Sequence, residues 1–158
     1  MRRVRFLVAV AATLGIAAGG IASAAEPPAQ QAIRPLMAKM LQAANAHDTD
    51  AFMASMQHVP GLVFAINGEV IHGWNALHTQ QLKWWHDGRS TARYTEGRPE
   101  FMALGPDVEV LTWPLVSHGV TVAGKPTRTA FVVTYIWQRL PAGWRIVYGH
   151  ESWAEPPA

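Results

Sequence analysis

The feature that most constrains this chain is a change of hydrophobic period along its length. Ile33, Met37, Met40, Leu41 and Ala44 recur with the 3.6-residue spacing of one helix face, with Pro35 tolerable in the first turn. Asp48 then stands where a helix N-cap belongs, and Ala51, Phe52, Met53 and Met56 follow as a second, short helix. Pro60-Gly61 ends the helical part, and residues rich in β-formers follow. Leu62 to Ile66 and Glu69 to His72 read as two strands joined by Asn67-Gly68, the strongest short hairpin signal a sequence offers. A third helix is predicted from Gly73 to Asp87, with Trp74, Leu77, Gln81 and Trp84 or Trp85 on one face and Gly88 as its C-cap. The remainder is strand after strand: Thr91 to Leu104, interrupted at Gly97-Arg98-Pro99, then Val108 to His118, Thr127 to Leu140 and Trp144 to Ser152. This order of elements predicts an α+β domain, its helices packed on one face of a curved antiparallel sheet.

At 158 residues the chain has room for one ordinary core and not for two. A content of 49% hydrophobic and 15% charged residues excludes disorder for most of it. Cysteine is absent, so disulfides, thiolate metal sites and nucleophilic thiols are excluded together.

The formal charge of +2 and its hint of a nucleic-acid partner come from the first few residues. Arg2, Arg3 and Arg5 precede an apolar run from Phe6 to Ala18, a Gly-Gly break and the small residues Ile21 to Ala25, the order of a secretory signal with cleavage expected after Ala24 or Ala25. An uncleaved anchor is the alternative, since the run approaches the roughly 20 residues a membrane span needs, but the glycine pair and the alanine content weaken insertion. Removing the three arginines from the thirteen basic residues leaves ten against eleven acidic ones. A mature protein of that balance is expected to be periplasmic or secreted, with no nucleic-acid partner and no membrane association after cleavage. Residues 1–25 are thus read as signal, 26–32 as a proline-bearing linker, 33–153 as the domain and 154–158 as a frayed tail.

Several pieces of the domain resemble a known family. They are Ala46-His47-Asp48, the Asn67-Gly68-Glu69-Val70-Ile71-His72-Gly73 hairpin feeding a helix, Gly105-Pro106-Asp107-Val108 opening a long strand, and Tyr135 to Arg139 followed by Gly143 to Ser152. Together they resemble the SnoaL-like branch of the nuclear transport factor 2-like superfamily, over roughly Ile33 to Ser152. The Trp-x-x-x-x-x-His-x-Ser strand at the end is also similar to the association domain of calcium/calmodulin-dependent kinases. The resemblance implies a cone: a bent sheet with about three helices on its concave side, one pocket per subunit, often in a homodimer. It implies no single function, because function belongs to the site and not to the fold.

Alternation on the last strand puts Trp144, Ile146, Tyr148, His150 and Ser152 on one face, expected to look inward. His150 would then act as general acid or base, with Tyr148 or Tyr135 as hydrogen-bond donor to a carbonyl or enolate oxygen, the alternative for His150 being a structural, hydrogen-bonded histidine. Trp85, Trp113, Trp137, His118 and Ser152 are the expected pocket walls, although tryptophans serve equally well as core. Asp107, Glu109 and Glu151 fall in a turn or on polar-looking faces and read as solvated. Gly61 to Asn67 carries no carboxylate where ketosteroid isomerases of the resembled superfamily hold their general base, which disfavours that reaction. The seven histidines show neither His-x-His nor His-Glu-x-x-His, so no metal and no cofactor are expected. Three functions remain: binding of a small, largely apolar molecule; an isomerase, cyclase or dehydratase working through His150 and a tyrosine; and a homo-oligomeric association module.

Overall fold

The computed structural model describes residues 26–121 and 123–154. The expected signal at 1–25 and the tail from 155 onward lie outside the described residues.

Helix α1 (Pro28–Ala46) begins five residues before the expected start and absorbs most of the predicted linker. Two prolines explain the early start: Pro27 holds the N-cap position in an extended conformation, and Pro28 at N1 has no N–H to leave unpaired. Pro35 therefore lies in the second turn. Its exposed ring removes one backbone bond from the solvent side while Ile33, Met37, Met40 and Ala44 remain buried on the other. The helix ends at His47, which turns into the left-handed region at φ 54°. Helix α2 (Thr49–Met53) is capped as expected, the Ala51 N–H donating to Asp48 Oδ1 at 3.0 Å.

Strands β1 (Val63–Ile66) and β2 (Glu69–His72) form the hairpin, with Asn67 and Gly68 both at positive φ as a two-residue primed turn requires. Helix α3 (Trp74–Trp84) follows and closes on Trp85. The predicted strand at 91–104 is two strands, β3 (Arg93–Glu96) and β4 (Glu100–Gly105), both paired with the same neighbour. That neighbour is the long β5 (Val108–Val120), whose first part pairs with β4 and whose second part pairs with β3. The break between the two falls at Gly97, whose N–H donates to Pro114 O at 2.8 Å. A side chain at Gly97 would press on Pro114, with a Cβ only 3.3 Å from the ring.

Strands β6 (Pro126–Leu140) and β7 (Gly143–Trp153) complete one sheet in the order β2-β1-β7-β6-β5-β3, antiparallel except that β1 runs parallel to β7. The helices pack on its concave side, and the shared core runs from Ile33 and Met37 through Met53 and Leu77 to Leu111, Trp137 and Ile146. The expected α+β fold with three helices on a curved, unclosed sheet is the one observed.

Candidate functional site

The inward face of β6 is unbroken: Phe131, Val133, Tyr135 and Trp137 are all buried. Their partners on β7 show where strict alternation fails. Trp137 pairs with Ile146, but Ile136, one residue earlier on β6, pairs with Tyr148, so Val147 is an extra residue without a partner. It forms a β-bulge, which shifts every later residue of β7 to the other face. Trp144 and Ile146 point into the core before the bulge; Gly149, Glu151 and Trp153 do so after it, opposite Tyr135, Val133 and Phe131.

This corrects the reading of the last strand. His150 and Ser152 are exposed and Tyr148 is half-buried on the face away from the helices, and none of the three lines the cavity. His118 is also outside it, bonded through Nε2 to Thr95 Oγ1 at 2.9 Å where β5 meets β3. Trp137 is fully buried core beyond the cavity floor. Of the expected site residues, Tyr135, Trp85 and Trp113 do face the cavity.

The cavity has a volume of about 310 Å³ and lies between the sheet and the helices. Met40, Leu41 and Ala44 of α1, Phe52 of α2 and Gln81, Trp84 and Trp85 at the end of α3 form the helical wall. Ile66 and Asn67, Tyr94 of β3, Trp113 and Leu115 of β5, and the inward faces of β6 and β7 form the rest. Eight of these side chains are aromatic. Phe131 and Trp153 stack at 4.2 Å between ring centroids, and Tyr94 meets Phe131 edge-on at 6.0 Å.

The helical wall is tied to the sheet by two polar residues at the end of α1. Asn45 acts as a strand partner for the edge of β3: its Nδ2 donates to Tyr94 O at 3.0 Å and its Oδ1 accepts from the Tyr94 N–H at 2.7 Å. His47 Nε2 donates to Ala92 O at 2.9 Å, and its ring packs edge-on against Trp85. Since a carbonyl only accepts, Nε2 carries the proton. Burial pulls the His47 pKa below its ordinary value, partly offset by that backbone bond. It is a structural histidine.

Among the described residues, the cavity lining contains one carboxylate and no lysine, arginine or histidine. The carboxylate is Glu151, held at mid-sheet between Val133 of β6 and Ile66 of β1. Burial pushes its pKa up to about 7, against which the Trp153 Nε1–H bond to Oε1 acts only in part. Tyr135, two positions along the same wall, is raised by burial and by the Glu151 charge and keeps its proton at neutral pH. Gly149 makes room for this arrangement: a Cβ there would come within 2.5 Å of the Phe64 ring and 3.2 Å of the Tyr135 ring. A carboxyl group poised near neutrality beside a phenol can exchange a proton with a bound molecule, donate a hydrogen bond to it, or attract a positive charge.

Glu151, Trp153, Tyr94 and Phe131 were not predicted as site residues. One signal for the first two was present: Trp153 lies seven residues after Ile146, out of phase with it, so both cannot face inward on a regular strand. Glu109 was also expected to be solvated, yet it is 1% exposed. It faces inward opposite Trp137 and accepts from Gln30 Nε2 at 3.3 Å, remote from the cavity lining.

A family model described as a SnoaL-like domain matches residues 33–156. Among solved structures, an NTF-2 like protein of unknown function from Shewanella oneidensis is 20% identical, with a TM-score of 0.67 over 78% of this chain and 98% of that one. A ketosteroid isomerase-like protein from Erwinia carotovora atroseptica is 17% identical at a TM-score of 0.66, covering 82% and 98%. The CaMKII hub of S. rosetta is 24% identical at 0.64, covering 82% and 99%. No curated protein is significantly similar in sequence. The neighbours share the fold while their names span an isomerase-like protein and an oligomerisation hub, so the likeness carries architecture and not activity. With the family match covering most of its length, this chain belongs to the SnoaL-like domain family.

Proposed function

We propose that the protein binds a small, largely apolar molecule in the cavity between helices and sheet, with Glu151 as the polar anchor. The observation that carries this reading is an aromatic cavity of about 310 Å³ whose lining, among the described residues, holds a single carboxylate. That is the composition of a ligand site: apolar walls for affinity and few polar groups for orientation. Native mass spectrometry of the protein purified without refolding tests it. A small molecule is expected to accompany the wild type and to be missing from Ala44→Phe, which fills the cavity from α1. A wild type that carries nothing, and gives no heat of binding with a panel of small aromatic compounds, would overturn the reading.

A catalytic version is favoured by one specific observation, the position of the Glu151 pKa near 7 beside the Tyr135 phenol. An acid–base reaction at neutral pH works best with such a group, and Tyr135 can donate to a carbonyl or enolate oxygen. His150 has no part in it, because it faces away. Glu151→Gln is then expected to abolish turnover of a carbonyl substrate, a far larger loss than its effect on binding of that substrate.

The reading includes export, supported by the order of charges and apolar residues in 1–25. It also includes a homodimer through the outer face of the sheet, where Val110, Val116 and Ile136 are half-buried and Val132 is 39% exposed. Light scattering on the mature protein checks the second point, and a monomer at micromolar concentration would exclude it.

A further inference from the structure

The pocket-binding reading leaves the charge of the ligand open, and the inventory of groups facing the cavity narrows it. Among the described residues no basic side chain faces the cavity, so an anionic ligand would meet no counter-charge and would be repelled by Glu151. Among the described residues Glu151 has no ion-pair partner either; the ion pairs that form are Arg34 with Glu26, His78 with Asp50 and Arg89 with Asp87, all elsewhere. The unpaired donors of the lining, on Trp84, Tyr135, Gln81 and Asn67, are all neutral and give an anion no counter-charge. Of its four indole N–H groups, those of Trp85, Trp113 and Trp153 are committed to Tyr94 Oη, Glu96 Oε2 and Glu151 Oε1. Besides those neutral groups, a ligand meets aromatic π surface and a carboxylate. Both attract positive charge, the first through the ring quadrupole and the second directly.

We propose that the ligand is a small organic cation, a protonated amine or quaternary ammonium on an aromatic or aliphatic body, with its charged end at Glu151 and its body among the rings. This rests on the pocket-binding reading and adds the charge class to it. Among the described residues the other titratable groups facing the cavity are Tyr94 and Tyr135, both held protonated at neutral pH by burial, so of these groups Glu151 alone supplies negative charge there. Binding of a cation requires the ionised form of Glu151. Affinity for a cation therefore rises with pH through the neutral range, whereas affinity for a neutral molecule does not.

Calorimetry with three probes of one shape tests this: 2-phenylethylammonium, 2-phenylethanol and 3-phenylpropanoate, with wild type and Glu151→Gln. At about pH 8 the wild type is expected to prefer the ammonium over the alcohol by at least about tenfold and to reject the carboxylate. The preference should shrink at about pH 5.5, as Glu151 takes up its proton, and vanish in Glu151→Gln, where the affinities for ammonium and alcohol converge. Equal affinity for ammonium and alcohol, a preference for the carboxylate, or a preference that survives in Glu151→Gln would each overturn the cation while leaving the pocket-binding reading intact. Failure of all three probes to bind the wild type would count against both.

Discussion

The two halves of β7 make an instructive pair. They belong to one strand, share one neighbour in β6 and are separated only by Val147. Before the bulge, Trp144 and Ile146 obey simple alternation and fill the closed end of the core. After it, the inward positions carry a glycine, a glutamate and a tryptophan, and the space between sheet and helices opens into a cavity. Packing dictates the first half, where each position wants an apolar side chain of the right volume. The second half violates that rule twice, with Gly149 clearing space for two rings and Glu151 placed on an aromatic wall without an ion-pair partner among the described residues. Departures from packing logic that the surrounding ladder holds in place are where a site is expected.

The largest test of that contrast is insertion of an alanine after Val147. With one residue more than the bulge takes up, one half of the strand must shift its register and turn its inward side chains to solvent, so a loss of about 4 kcal/mol or more, or failure to fold, is expected in urea denaturation, whereas deletion of Val147 leaves Ile146 opposite Trp137 and Tyr148 opposite Ile136 and should cost less. An insertion variant of unchanged stability would mean that the inward faces do not set the register. Next in size is Gly149→Ala, whose methyl meets the Phe64 ring and should cost about 1–3 kcal/mol. Combining it with Phe64→Leu sharpens the point, because relief of the collision should make the double variant more stable than the sum of the single effects.

Glu151 gives a smaller, pH-dependent effect. Its pKa in the fold is raised from an ordinary 4.5 to about 7, so its contribution is most favourable below 4.5 and is lost as pH rises through about 7. Glu151→Gln should therefore match the wild type in melting temperature at acid pH and exceed it at about pH 8, by on the order of 1–2 kcal/mol in stability once solvent at the cavity mouth is allowed for. An unchanged difference across that range would remove the carboxylate from its buried position. The smallest effect has the opposite sign. His47 is pulled below its ordinary 6.5, so the stability it contributes is present above 6.5 and is lost as pH falls through its pKa in the fold. His47→Gln, whose side-chain amide can still donate to Ala92 O, is expected to flatten that acid slope in thermal melts.

Much of the architecture was legible because it rests on local chemistry. The Asp48 cap, the Asn67-Gly68 turn and the α1 stripe each follow from residue type and spacing, and all three are observed. The pocket was legible in part, through Trp85, Trp113 and Tyr135. Its polar centre was misplaced by one residue, from His150 to Glu151, because alternation was carried across a bulge that has no composition of its own. Val147 is an ordinary strand residue; only the register against β6 makes it extra.

The sequence by itself determined the order of helices and strands, the turns that join them and the apolar faces that must meet, since each depends on neighbours within a few positions. The tertiary structure alone decided which face of each strand segment looks into the cavity beyond the bulge, and that Glu151 stands there without a basic partner among the described residues. Those properties depend on pairing with distant strands and on the dielectric that the assembled walls create around a charge, and neither exists until the sheet has closed over the helices.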